Sequence, residues 1–189
     1  ASGGFEANDD LRREFIGENW LKAKVRGTPH NTGDGLKMAL DIGAIKHGLF
    51  DGCHATPMDL YMKNYGGLDL EPSERKNYRK ICYFLGIMMN AKGKRFLDEG
   101  KNFRNYTYAQ YGKRVLEQPD HFAWQIFDSK VFNLLYEEYR FHDAHFVEAD
   151  TIDELIKKMD CIDKIETKKT IIEFNNSVDI NTSFDPTIL

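Results

Sequence analysis

Two glycines flank an aspartate in Asn31-Thr32-Gly33-Asp34-Gly35, and immediately beyond them Leu36, Ala39, Leu40 and Gly43 fall at helical spacing. The pattern predicts a helix that begins between Thr32 and Gly35, buries that face and ends at the Asp41-Ile42-Gly43-Ala44 stretch. A helix start offers unpaired N–H groups and about half a positive charge, and glycines there let a ligand come against the main chain itself. Two readings stay open. The stretch borders a planar or anionic cofactor, or it is a tight turn in which Asp34 satisfies its own helix.

Composition narrows the field. The chain has 189 residues, 41% hydrophobic and 30% charged, with 26 basic against 30 acidic side chains for a net charge of -4. That length accommodates one or two domains. The mild acidity gives no electrostatic footprint for nucleic acid, and no uninterrupted apolar run is long enough for a transmembrane segment. No secretory signal opens the chain, and a cytoplasmic location is expected. Cys53, Cys82 and Cys161 are an odd number at wide spacing, so they read as free thiols used for packing in a reducing compartment. The opening Ala1-Ser2-Gly3-Gly4-Phe5 lacks an initiator Met and starts on small residues, which suggests a processed or excised piece.

Along the chain, residues 11–21 read as a short helix or two turns interrupted by Gly17. Residues 52–80, with two prolines and no sustained period, read as a long loop region. The apolar runs on either side of Asn90-Ala91-Lys92-Gly93 predict a β-hairpin with glycine at the positive-φ position. Beyond it, residues 105–118 predict a helix, 122–128 a strand, and 129–140 a helix started by Ser129. Thr151 followed by Glu154 is a capping box for a helix over 151–159, and a last helix covers 163–178. The fold class is α+β, with a mixed unit after residue 52.

Other residues invite function and are weighed against plainer roles. His142 and His145 bracket Asp143, but no third ligand is evident and no metal site is expected. Tyr106, Tyr108, Tyr111, Phe122, Trp124 and Phe127 read as core. The basic run Arg75, Lys76, Arg79 and Lys80 reads first as a solvated face.

Taken together and in order, the stretches ASGGFEAND, AKVRGTPHNTGDGLKMALDIGA, GIMMNAKGKRFLDEGKNFRNYTYA, IIEFNNSV and FDPT closely resemble the fumarate reductase and succinate dehydrogenase flavoprotein family. The likeness spans essentially the whole chain and is nearest to the family's tricarballylate-oxidising members. It implies an FAD-dependent enzyme in which a capping domain interrupts a Rossmann-like FAD-binding domain. Residues 1–51 would be a partial FAD-binding segment, and residues 52–189 the capping domain that closes over flavin and substrate. The family's GxGxxG fingerprint and its C-terminal flavin and substrate segments have no counterpart here, so the resemblance implies a fragment whose partners are those missing segments. Such a fragment is expected not to retain FAD and to be inactive alone.

The same resemblance implies the site residues. Those matching Thr32, Gly33 and Asp34 lie against the isoalloxazine ring, and those matching Ser2, Gly3 and Gly4 lie near the cofactor's polar backbone. Arg104, five positions after Glu99, matches the family's acid or base with one inserted residue, although a surface arginine capping the following helix fits the sequence as well. His54 matches a histidine that binds a substrate carboxylate, or is a loop histidine bonded to main chain. Fumarate reductases carry Gln where Gly52 stands and a Thr-Glu pair where residues 77–84 stand, which favours a larger polycarboxylate over fumarate, with Arg75, Lys76, Arg79 and Lys80 as the added charges.

Three functions follow as expectations. The first is an FAD-dependent oxidoreductase of a small polycarboxylate, moving hydride to or from flavin N5, with an electron-transfer partner possible. The second is a stand-alone, non-catalytic α+β module that binds carboxylates. The third is ketosteroid dehydrogenation, which basic residues around Arg104 would disfavour.

Overall fold

The computed structural model describes residues 3–62, 71, 78–179 and 181–182. The chain divides into two units, Ala1–His54 with Tyr61–Asn77 and Ala55–Leu60 with Tyr78–Leu189.

In the first unit, α1 (Asp9–Ile16) starts where the Asn8 side chain accepts the Leu11 N–H at 3.1 Å, with Asp9 and Asp10 at its positive end. It stops at Gly17, whose φ of 102° few side chains would tolerate, and a 3₁₀ turn follows at Glu18–Lys22. The interruption expected at Gly17 is therefore the end of one helix and the start of a tighter one. Buried Arg12 folds that turn back onto α1, donating to the carbonyls of Trp20 and Ala23 at 2.9 Å each and pairing with Asp9 at 2.5 Å. The second helix, α2 (Asp34–Asp41), follows Gly33, which sits in the left-handed region at φ 81°. The expected apolar face is less covered than its spacing suggests. Leu36, Ala39 and Leu40 are half-buried, Gly43 is exposed, and Met38, Ile42, Ile45 and Leu49 stand 68–91% exposed.

The second unit is built around β1 (Ile87–Asn90), every residue of which is buried. It pairs antiparallel with β2 (Ala123–Ile126) in the register Ile87–Ile126, Met88–Gln125, Met89–Trp124 and Asn90–Ala123. Alternation then divides the strand's side chains between two cores. Ile87 and Met89 pack with Ile156, Met159 and Ile171 of the C-terminal helical segment, and Met88 packs with Ile81, Tyr83 and Tyr111. The helices are α3 (Arg104–Leu116), α4 (Ile152–Lys158) and α5 (Lys164–Ser177). Thr151 accepts the Glu154 N–H at 3.2 Å and Asp163 accepts the Glu166 N–H at 2.9 Å, so both C-terminal helices carry the caps their sequences encode.

Two expectations are corrected. The hairpin turns where expected, with Gly93 at φ 69°, but its returning arm meets β1 through one bridge, Met89 to Arg95, and the regular partner is β2. The predicted helix over 129–140 is instead two 3₁₀ turns, Ser129–Leu134 and Glu137–Tyr139. Its cause lies in tertiary polar contacts. The Tyr139 hydroxyl accepts the Cys82 N–H at 2.8 Å and donates to Gln125 Oε1 at 2.7 Å, and the Tyr136 N–H donates to Cys82 Sγ at 3.4 Å. An unbroken helix would not keep Tyr136 and Tyr139 on these partners.

Candidate functional site

In the first unit the two glycine-bearing stretches lie side by side. The Ala7 N–H donates to the Asn31 carbonyl at 3.0 Å, Asn8 Nδ2 donates to the Thr32 carbonyl at 3.0 Å, and Asn31 Nδ2 donates to Glu6 Oε1 at 2.6 Å. Gly3 and Gly4 are exposed here, and a Cβ on Gly3 would come 2.6 Å from Asn31 Oδ1. Thr32 donates its hydroxyl to Asp34 Oδ2 at 3.0 Å, and α2 has no side-chain N-cap, so amides of its first turn stay available. Gly33 has a local reason to be glycine. Its φ is positive, and a Cβ would fall 2.4 Å from Leu11 Cδ1 and 2.8 Å from Phe5 Cβ. Ser2 lies outside the described residues. His54 ends the first segment of this unit, exposed.

In the second unit Arg104 is the first residue of α3, half-buried. Its guanidinium lies 5.6 Å from the ring centre of Tyr108 and 5.8 Å from that of Tyr136. Among the described residues it has no ion pair. The preceding Phe103 offers no side-chain cap, so a cation sits at the positive end of a helix, where the macrodipole disfavours it. Its field reaches further. Burial pushes the Tyr83 phenol and the Cys82 thiol up, and Arg104 is among the groups that pull each back down. Tyr83 and Thr107 hydroxyls share a buried hydrogen bond at 2.7 Å beneath it.

The basic run reads differently in three dimensions. Lys80 reaches Asp59 at 3.3 Å, donates to the Glu138 carbonyl at 2.7 Å and lies over the Tyr139 ring, while Arg79 pairs with Glu138 at 3.1 Å. Asp59 and Glu138 are both buried, so Arg79 and Lys80 are neither a solvated face nor loose charges waiting for a substrate. Arg75 and Lys76 lie outside the described residues. Phe103 and Tyr106, next to Arg104 in sequence, are 68% and 69% exposed, which removes Tyr106 from the expected core and puts aromatic surface where basic charge was expected. Of the cysteines, Cys82 alone packs, and Cys53 and Cys161 are exposed. Among the described residues no group of three His, Cys, Asp or Glu side chains is arranged to hold a metal ion, and no helix is long and apolar enough to cross a membrane.

This is a fumarate-reductase-like fold. The chain resembles 3-ketosteroid Δ1-dehydrogenase from Sterolibacterium denitrificans, solved in complex with 1,4-androstadiene-3,17-dione, with a TM-score of 0.61 and 26% identity over 92% of this chain and 31% of that one. It resembles the open conformation of a flavocytochrome c3 fumarate reductase with a TM-score of 0.60 and 21% identity over 99% of this chain and 30% of that one. The chain thus spans about a third of the length of either protein. No family model matches the sequence, and no curated protein matches it.

The position of Tyr136 beside Arg104 had no sequence signal, because the two are far apart in the chain and brought together only by tertiary packing. Gly112 was equally silent. A Cβ there would come 2.4 Å from the backbone of Ala55, which exchanges two main-chain hydrogen bonds with α3, Ala55 N–H to Ala109 carbonyl at 3.0 Å and Gly112 N–H to Ala55 carbonyl at 3.1 Å.

Proposed function

We propose that this chain is part of an FAD-dependent oxidoreductase that removes or adds hydrogen across a C–C bond next to a carboxylate, with residues 1–51 belonging to the FAD-binding domain and residues 52–189 to the cap. The observation that carries the reading is the side-by-side placement of residues 3–8 and 31–34, held by three hydrogen bonds, in a chain that shares its fold with a dehydrogenase and a flavocytochrome reductase.

The residues fit the cofactor at main-chain level. Uncapped amides at the start of α2 and the exposed backbone of Gly3 and Gly4 offer donors to a flavin edge and to the cofactor's polar chain, the Thr32 hydroxyl oxygen offers an acceptor, and the family resemblance assigns Ser2 to the same set. Asp34 would accept a hydrogen bond from the isoalloxazine ring, and Gly33 supplies the turn that presents these groups. When bound, flavin supplies the hydride acceptor or donor at N5. The exposed Met38, Ile42, Ile45 and Leu49 are a surface that the rest of a flavin domain would cover.

On the substrate side, Arg104 relays the proton that accompanies the hydride. A guanidinium with no ion pair among the described residues, at a helix start without a side-chain cap, has its charge available for an anion. His54 binds a substrate carboxylate. The substrate is a small polycarboxylate of the tricarballylate or succinate type, and the protein acts in the cytoplasm with an electron-transfer partner. A ketosteroid is the second reading. It is favoured by the exposed Phe103 and Tyr106 beside Arg104 and by the engagement of Arg79 and Lys80 with buried acids.

The test is steady-state kinetics of the whole flavin-loaded enzyme to which this chain belongs, on tricarballylate, succinate and a 3-ketosteroid, with Arg104→Ala, Arg104→Lys and His54→Ala. A proton relay predicts that Arg104→Ala lowers kcat by about 10²–10⁴-fold with a smaller change in KM. His54→Ala should raise KM instead. Turnover of none of the three, or Arg104→Ala at wild-type kcat on the substrate that is turned over, defeats the proposal.

A further inference from the structure

We infer that Tyr108 and Tyr136 are positioning residues for Arg104, holding its guanidinium between two aromatic faces so that its N–H edges stay free for the substrate. The inference rests on the functional reading of Arg104.

An arginine that must meet an anion has two needs in conflict. Its flexible stem carries about 2 kcal/mol of rotamer entropy, so it has to be held before the ligand arrives. A carboxylate would hold it, but would also occupy the N–H groups and cancel the charge that draws the ligand. Aromatic faces avoid the conflict. They attract the cation through the ring quadrupole and contact the plane of the guanidinium, not its donor edge. Arg104 has its guanidinium carbon over two such rings, at 5.6 and 5.8 Å from their centres, and no ion pair among the described residues.

Each ring is fixed independently of the arginine. Tyr108 is on the same helix, four positions on, where side chains share a face. Tyr136 arrives from beyond β2 and is pinned through its backbone, whose N–H donates to Cys82 Sγ at 3.4 Å. Both rings also pack against the core formed by Ile81, Tyr83, Met88 and Tyr111. The clamp is therefore part of the folded unit before any substrate binds, and the tyrosine hydroxyls are not needed for it.

The test uses the whole flavin-loaded enzyme to which this chain belongs, with Tyr108→Leu, Tyr136→Leu and the corresponding Phe variants. The first readout is the Nε–H resonance of Arg104 in a proton–nitrogen NMR spectrum, assigned by its loss in Arg104→Lys. Ring currents should move it upfield in the wild type; each Leu variant should lose part of that shift, and each Phe variant should keep it. The second readout is kcat and KM on tricarballylate, where each Leu variant should lose about tenfold in kcat and each Phe variant should stay near wild type. A resonance unmoved in both Leu variants, or Phe variants as impaired as Leu variants, overturns the clamp. Leu variants with wild-type kcat beside an Arg104→Ala variant that has lost it also overturn the clamp, while leaving the role of Arg104 standing. Wild-type kcat in Arg104→Ala instead removes the functional reading, and a ring-current shift that persists then marks the pair as structural only.

Discussion

The Thr170 hydroxyl donates to the Gly93 carbonyl across 2.7 Å in a buried position, tying the middle of α5 to the turn that follows β1. The same glycine has φ 69°, and a Cβ on it would stand 2.5 Å from the Thr167 nitrogen and 2.8 Å from the Asp163 carbonyl oxygen. Gly93→Ala should therefore cost roughly 2–5 kcal/mol, the left-handed conformation and the backbone overlap adding. Gly100→Ala is the control in the same unit, since its Cβ would meet only Asp98 Oδ1 at 3.7 Å. Urea unfolding of both variants checks the difference; equal midpoints would show that the turn yields without strain.

Gly112 sets two effects against each other. Alanine favours a helix over glycine by about 1 kcal/mol, so propensity alone makes Gly112→Ala stabilising. The new methyl would fall 2.4 Å from the Ala55 carbonyl carbon and 2.6 Å from the Thr56 nitrogen, and those are backbone atoms that cannot step aside singly. Overpacking of about 1–3 kcal/mol wins, and segment 55–57 should lift from α3. Hydrogen exchange should show the Ala55 amide losing protection while amides at the far end of α3 keep theirs.

The sequence carried local rules faithfully and long-range ones poorly. Thr151 with Glu154, the Gly17 break, the Gly33 turn and the strand around Trp124 were all legible because each signal lies within a few residues of its effect. The pairing of β1 with β2 was not, because the nearer arm at Arg95 matched the hairpin pattern and nothing local announces that Ile126 replaces it. The 3₁₀ turns of 129–140 escaped notice for a similar reason, since their apolar spacing is helical and the contacts that break it are made to Cys82 and Gln125. At the site, only the family resemblance drew attention to Arg104, and its tyrosine neighbours and the internal engagement of Lys80 depend on packing.

Alkaline titration should expose two buried phenols. Burial raises Tyr111 from the ordinary 10.0 to about 12, with Tyr83 and Asp98 adding, and burial drives Tyr139 up more strongly. A group whose folded pKa is raised gives stability that is complete below its unfolded value and is lost as pH climbs through the folded one. For Tyr111 that window runs from about pH 10 to about pH 12. Tyr111→Phe loses the hydrogen bond to the Asp98 carbonyl and should cost about 1 kcal/mol at neutral pH. The deficit should shrink toward pH 12 as the wild type loses its advantage. Melting curves of both proteins across that range test it; a constant deficit would mean that Tyr111 ionises alike in the folded and unfolded chains.

The last prediction concerns Asp59 and Lys80, whose side chains lie 3.3 Å apart and are 4% and 13% exposed. Burial lowers the Lys80 pKa, and Asp59 is the largest of the opposing influences. A lysine with a depressed folded pKa adds stability only as pH rises toward its unfolded value and withdraws it as pH falls, because the unfolded chain then binds the proton more readily. Removing the carboxylate deepens that depression. Asp59→Ala should thus cost about 3–5 kcal/mol at neutral pH, the penalty of leaving a buried charge unpaired, and the loss should ease as pH rises. Adding Lys80→Met removes the stranded charge while keeping an apolar stem of similar length, so the double variant should be more stable than Asp59→Ala alone. Recovery should be partial, because Asp59 also accepts the His145 N–H at 3.2 Å and Lys80 also donates to the Glu138 carbonyl. Chemical denaturation of the two single variants and the double completes the cycle. Additive losses would mean that Asp59 and Lys80 act separately, and that His145 and Glu138, not the ion pair, hold segment 55–60 in place.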